Sequence, residues 1–202
     1  MGHLRPGEPA PPITLDAVDG TSIAVPDPGH IVHLHFSRFA DCPICNLHIA
    51  EMRSRAGELE TAGVRQLAVF HSPAEHVRAY RADMPFALIA DPEREIYQRF
   101  GVGTSRRALL HPRAVRRLIN EARAGNRARE AHGGIHGLPA DFLIAPDGRL
   151  LLANYGSHAE DNVPVQRILD TVARTAGDAL TARSEAGAAP RRAIRAARSG
   201  RG

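Results

Sequence analysis

The 202-residue chain has no lysine, only two cysteines and no long apolar run. Two cysteines are too few for the disulfide framework of a small secreted domain. No stretch approaches the roughly 20 apolar residues that a membrane-spanning helix requires, so that class is excluded. The opening residues, MGHLRPGEPAPPITL, place prolines where a secretory leader needs an apolar run. A cytoplasmic location is the expectation. A charge excess is missing too, once its position is considered. The net charge is +4, but the six arginines and single acid of residues 183–202, taken from totals of 26 and 22, leave 20 basic and 21 acidic side chains. The near-neutral remainder argues against nucleic-acid binding. The Ala/Gly/Arg end has too little apolar bulk to fold alone, so the expected organisation is one domain over 1–178 and a disordered tail over 179–202. The absence of lysine answers to no physical requirement that we can name.

What is present reads as alternating strands and helices. Ile13–Leu15 and Ser22–Val25, around Asp19-Gly20, predict a short hairpin. His30–Phe36 (HIVHLHF) predicts a central strand with both faces covered. A helical pattern follows the two cysteines, with Leu47, Ile49, Met52 and Leu59 on its apolar side, ending at Ala62-Gly63. Next come a strand over Val64–Phe70, a helix capped by Ser72 with Pro73 at its first position, a short strand over Phe86–Ile89, and a helix from Asp91-Pro92 to Phe100. Pro112–Ala124 is amphipathic, with Val115, Leu118, Ile119 and Ala122 on one stripe and several arginines elsewhere. Two strands, Asp141–Ala145 and Leu150–Asn154, flank a Pro146-Asp147-Gly148 turn, and a last helix spans about Val163–Ala176. This order predicts an α/β fold with one mixed sheet flanked by helices, an N-terminal hairpin and a helical insertion.

The chemistry-bearing motif is Cys42-Pro43-Ile44-Cys45, placed between a strand and a helix. The first sulfur then sits at a helix N-terminus, where free backbone N–H groups and the positive dipole end favour thiolate. Cys42 is the expected exposed nucleophile. Pro43 falls in the first helical turn, where its missing N–H costs nothing. Cys45, one turn further, is placed to attack a mixed disulfide or a sulfenic acid on Cys42. Asp41 opposes the thiolate electrostatically. Gly137-Leu138-Pro139 precedes the strand Asp141-Phe142-Leu143-Ile144, and a proline there marks a strand start, a turn or a cis bond.

The segments HLHFSRFADCPICNLHIAEM, LAVFHSPAEHVRAY, ALIADPEREIYQRFGV and GLPADFLIAPDGRLLLANYG resemble the thioredoxin superfamily, in its peroxiredoxin-like branch of the alkyl hydroperoxide reductase/thiol-specific antioxidant family. The resemblance spans roughly Pro9 to Ala173. It implies a thioredoxin-like fold, a nucleophilic Cys42, a resolving Cys45 and a cis-proline at Pro139 facing them. Pro139, with Pro43 and Arg38, is expected to line the substrate groove, where it keeps backbone groups available to an extended substrate. It departs where typical members carry proline and threonine ahead of the reactive cysteine, since His35 and Phe39 stand there. Pro139 likewise stands where their second active-site arginine falls. Arg38 is the nearby positive charge. The implied activity is thiol–disulfide oxidoreduction or peroxide reduction by a dithiol. A cellular thiol, thioredoxin-like or of low molecular weight, would be the reductant; no resident cofactor, nucleic acid or membrane partner is expected.

A metal reading shares these residues. Cys42, Cys45 and His48 make C-x-x-C-x-x-H, with His33 and His35 upstream, so zinc is conceivable. Only two thiolates are available, and His48 could face away from them. The rival function is therefore a metal-binding or interaction module without turnover. His33 and His35, on one strand face, are expected to be packing residues. His132 and His136 lie in the glycine-rich loop before Pro139 and would border a substrate groove or face solvent.

Overall fold

A computed structural model describes residues 2–81, 83–105, 112–125 and 136–187. It contains a two-stranded hairpin and a five-stranded sheet. The hairpin is β1 (Ile13–Asp16) paired antiparallel with β2 (Ser22–Val25). Its turn depends on Gly20, whose φ of +93° lies in the region that favours glycine. Asp19 supports the turn by accepting the Thr21 N–H at 2.8 Å.

The main sheet is built from β3 (Ile31–Phe36), β4 (Val64–Phe70), β5 (Ala87–Ala90), β6 (Ala140–Ile144) and β7 (Leu150–Tyr155), in the spatial order β5-β4-β3-β6-β7. β3 is central, parallel to β4 and antiparallel to β6, so the sheet is mixed as expected. The helices are α1 (Pro43–Ser54), α2 (Ala56–Thr61), α3 (Ala74–Arg81), α4 (Glu95–Arg99), α5 (Pro112–Arg123) and α6 (Val165–Gly187). Among the described residues no helix is long and apolar enough to cross a membrane.

Strand alternation divides the interior. On β3, Val32, Leu34 and Phe36 join Phe100, Phe142 and the hairpin residues Leu15, Ile23 and Val25 in one apolar core. Phe36 and Phe142 meet edge to face at 5.7 Å between centroids, a favoured aromatic geometry. On the opposite face, Leu143 of β6 packs with Ile49 and Met52 of α1 and with Val165, Ile168 and Val172 of α6. His33 and His35 of β3 and Asp141 of β6 also point to that second face by alternation. Strand register sets His35 directly opposite Asp141.

Several expectations need correction in detail. The helix after the cysteines is two helices, broken at Arg55, which has φ −111° and ψ 14°. Leu47 is 39% exposed and therefore not on the buried side of α1. Val115 and Ile119 of α5 are also exposed. The Ser72 hydroxyl accepts the Ala40 N–H at 3.0 Å, tying down the loop before the cysteines. The helix expected from Asp91 begins only at Glu95, with Arg94 as its N-cap, although the Asp91 carboxylate accepts the N–H groups of Glu95, Ile96 and Tyr97. α6 continues to Gly187, past the expected boundary at 178. Ala179, Ala182 and Ala186 are strong helix formers in that stretch. Residues 188–202, the rest of the expected tail, and His132 lie outside the described residues.

Pro139 is the largest correction. Among the described residues the cis peptide bond is Val25–Pro26, and Leu138–Pro139 is not one. The chain approaches Pro139 already extended, through the Thr104–Gly137 bridge and the Ser105 N–H to His136 carbonyl bond. This approach suits the trans isomer that most X–Pro bonds prefer.

Candidate active site

β3 ends at Phe36, and a short loop delivers the chain to the start of α1. That loop is held from below by Tyr97, whose hydroxyl lies 2.8 Å from the Ser37 carbonyl and 3.0 Å from that of Val69. It turns through the Cys42 N–H to Phe39 carbonyl bond, and the Cys42 carbonyl accepts the first helical bond from Asn46. Cys42 is the N-cap of α1: its Sγ accepts the Cys45 N–H at 3.3 Å. Pro43 follows in the first turn, as its fixed φ and missing donor allow. Cys42 and Cys45 are joined in a disulfide with 5.3 Å between their Cα atoms.

The exposed nucleophile expected from the sequence is not what the structure shows. Cys42 is 1% exposed and Cys45 5%. The pair is packed with Phe39, Ile44 and Ala159. Ala159 comes from the loop after β7, a cover that no sequence spacing announces. A partner must therefore displace this cover or reach the sulfurs at its edge.

Arg38 is also buried, with its guanidinium 5.5 Å from the Phe39 ring centroid. Burial lowers its pKa to about 10, which still leaves it charged at neutral pH. A fixed cation thus lies one side chain from the Cys42 cluster. Pro139 reaches the site indirectly. Its carbonyl accepts the Gly156 N–H at 2.9 Å, so it is engaged within the fold, and the Leu138 N–H donates to Gly103. A Cβ on Gly156 would lie 2.7 Å from the Pro139 ring and 2.8 Å from the Asp161 carbonyl. Pro139 therefore packs on the strand-end segment that leads into the Ala159 cover. Backbone groups left open to an extended substrate, as expected from the sequence, are not seen at these two positions.

Under α1, His33, His35 and His48 gather around a partner that no sequence spacing announces, Asp141. The Asp141 carboxylate, fully buried, has Oδ1 2.8 Å from His35 Nδ1 and 3.1 Å from His33 Nε2; its Oδ2 accepts the Val163 N–H at 2.9 Å. Burial alone would raise its pKa, but the imidazoles of His35 and His33 hold it well below the usual carboxylate range. His48 turns toward this cluster: its Nε2 is 4.0 Å from Asp141 Oδ1, and its Nδ1 is 3.4 Å from Glu51 Oε2. Burial, with the neighbouring His35, lowers the His48 pKa to about 3, so this ring is neutral at pH 7. An open cleft of about 250 Å³ runs beside it, lined by Ile44, Leu47, His48, Glu51, Asn162 and Pro164 among others. His35, His48 and Asp141 bring one donor atom each within 4.8 Å of one another. The two cysteines are not part of that group.

Chemically, a dithiol at a helix N-terminus can exchange with a disulfide or be oxidised by a peroxide. The AhpC/TSA family profile matches residues 6–152. The Mycobacterium tuberculosis (strain ATCC 25618 / H37Rv) protein Rv2521, which bears a peroxiredoxin name, is 24% identical over 164 residues, 80% of this chain and 91% of that one. Among solved structures, peroxidoxin BcpB of Mycobacterium tuberculosis aligns with a TM-score of 0.63 at 16% identity, over 85% of this chain and 98% of that one. A variant of peroxiredoxin 6 of Arenicola marina aligns at 0.66 and 18% identity, over 87% and 75%. These structures show the thioredoxin-like fold. With the profile covering most of the chain, the protein belongs to the AhpC/TSA family and is a peroxiredoxin-like oxidoreductase with a redox-active Cys42–Cys45 dithiol.

Proposed function

We propose that Cys42 is the attacking thiol and Cys45 the resolving thiol of a cytoplasmic oxidoreductase that reduces a disulfide or a peroxide. The observation that carries this reading is the position of Cys42 as the α1 N-cap, its sulfur already accepting the Cys45 N–H. The same donor that meets sulfur in the disulfide meets the thiolate after reduction, and the helix dipole adds to it. Arg38 supplies a second source of positive potential beside the site, with Phe39 between. Pro43 fixes where the helix begins, and Pro139 supports the segment leading to the cover over the sulfurs.

With a disulfide substrate, the Cys42 thiolate attacks one sulfur and the other leaves as a thiolate. Cys45 then attacks the Cys42 sulfur of the mixed disulfide, releasing the second substrate thiol and forming the Cys42–Cys45 bond. With a peroxide, Cys42 attacks the terminal oxygen and an alcohol or water leaves. Cys45 condenses with the resulting sulfenic acid and expels water. A cellular dithiol or two low-molecular-weight thiols restore the reduced pair. A cytoplasmic setting fits a chain whose two cysteines both belong to this pair.

Disulfide reduction is favoured over peroxide reduction by one feature. His35 and Phe39 occupy the places from which the family's proline and threonine would cradle a peroxide, and Phe39 packs on Cys42 as an apolar cover. Dithiol-coupled reduction of a model protein disulfide and of hydrogen peroxide, measured side by side, tests this. Faster disulfide turnover is expected. Efficient peroxide consumption with no disulfide turnover would reverse the choice of substrate.

A further inference from the structure

The interior face beneath α1 is unusual in its polarity. Strand alternation turns His33, His35 and Asp141 into it, and α1 adds His48 from above. Among the described residues the ion-pair partners of the Asp141 carboxylate are all imidazoles. A hydrogen-bond network explains part of the arrangement: His33, His35 and the Val163 N–H satisfy both carboxylate oxygens. It does not explain His48. That side chain is 6% exposed, its Nε2 is turned toward Asp141 Oδ1 at 4.0 Å, and the nitrogen has no hydrogen-bond partner. A buried polar atom left so is destabilising unless a ligand meets it.

We propose that His35, His48 and Asp141 form a binding site for a divalent transition-metal ion of the zinc class, separate from the Cys42–Cys45 dithiol. Two imidazole nitrogens with one carboxylate oxygen suit zinc, cobalt, nickel or copper(II) and not the all-oxygen preference of magnesium or calcium. Donors on one zinc ion lie about 2.0–2.2 Å from it, hence roughly 3.3 Å from one another. The 2.8 and 4.0 Å separations about Asp141 Oδ1 fall on either side of that spacing. Small side-chain adjustments bring all three onto one ion.

The surrounding groups fit the same role. Glu51 faces the other nitrogen of His48 at 3.4 Å, and its second oxygen accepts the Val165 N–H at 3.1 Å, so it is itself held in place. A carboxylate behind a ligating histidine fixes the ring's tautomer and aim. His33 and the Val163 N–H do the same for Asp141. The cleft beside His48 supplies an entry path from solvent.

Cobalt(II) is the probe that tests this, titrated into the tag-free full chain in its oxidised state and into a Cys42→Ser/Cys45→Ser double variant. Both are expected to take up one equivalent with the visible spectrum of a four-coordinate nitrogen/oxygen site, displaced by zinc and lacking thiolate-to-metal charge transfer. Glu51→Gln should weaken binding about 10–100-fold, and His48→Gln at least as much. Because Asp141→Asn could fail to fold, these two variants, next to the cleft and checked by circular dichroism, decide the outcome. Unchanged affinity in His48→Gln would mean adventitious ions on other histidines and would overturn the proposal. So would binding that disappears with the cysteines, which would make it a thiolate site, or no stoichiometric uptake at all. None of these results bears on whether Cys42 and Cys45 cycle.

Discussion

Reduction of the Cys42–Cys45 bond is expected to leave the fold intact while lowering its stability by about 2 kcal/mol. The bond joins residues three apart in sequence. For a closed loop of about four residues, the chain-entropy relation gives about 6 cal/mol/K, or about 2 kcal/mol at 25 °C. A domain of this size is held by about 5–15 kcal/mol, so most of its stability survives. The corresponding fall in melting temperature is about 4–8 °C. Part of the loss is offset in the reduced state, because the Cys45 N–H that meets Cys42 Sγ at 3.3 Å stays available to a thiolate. The assay is urea unfolding followed by far-ultraviolet circular dichroism, with and without a dithiol, beside the Cys42→Ser/Cys45→Ser double variant. That variant should match the reduced protein within about 1 kcal/mol, since serine is also a good N-cap. Unfolding on reduction, or a loss above about 5 kcal/mol, would refute the reasoning, because it would make the bond a structural staple.

Three further outcomes follow from the packing around the site. Tyr97→Phe should destabilise the protein by about 1–3 kcal/mol in chemical denaturation, because it leaves the Ser37 and Val69 carbonyls without the buried hydroxyl at the base of the active-site loop. Phe39→Ala should raise the alkylation rate of reduced Cys42, which Phe39 helps to bury; an unchanged rate would show that the cover lies elsewhere. Gly156→Ala should lower stability by about 1–3 kcal/mol, since its Cβ would meet Pro139 and the Asp161 carbonyl at under 3.0 Å. A neutral melting curve would disprove that close approach.

The sequence carried the parts of the fold that depend on local signals. Strand alternation, the Asp19-Gly20 and Pro146-Asp147-Gly148 turns and the helix beginning at Pro43 are properties of neighbouring residues, and each lies where its pattern placed it. The redox pair was legible for the same reason, since Cys42 and Cys45 are spaced by a single helical turn. What stayed hidden is long-range. His35 meets Asp141 across 106 positions of sequence, a contact set by β3–β6 register, which no local pattern encodes. His33 and His35 shared a strand face, and that spacing was the one clue to a polar partner. The burial of Cys42 depends on Ala159, brought in by a loop more than a hundred residues later. A cis Pro139 facing the sulfurs is what the family resemblance implies. The pairing of its neighbours with residues 103–105 and of its carbonyl with Gly156 gives it a supporting place instead.

The central claim is that Cys42 attacks and Cys45 resolves, and the most direct measurement is covalent trapping with each single serine variant. Reduced Cys45→Ser, incubated with a disulfide substrate and analysed by peptide mass spectrometry, should accumulate a mixed disulfide on Cys42. Cys42→Ser under the same conditions should accumulate little. A stable adduct on Cys45 in the Cys42→Ser variant, with none on Cys42 in its counterpart, would contradict the assignment.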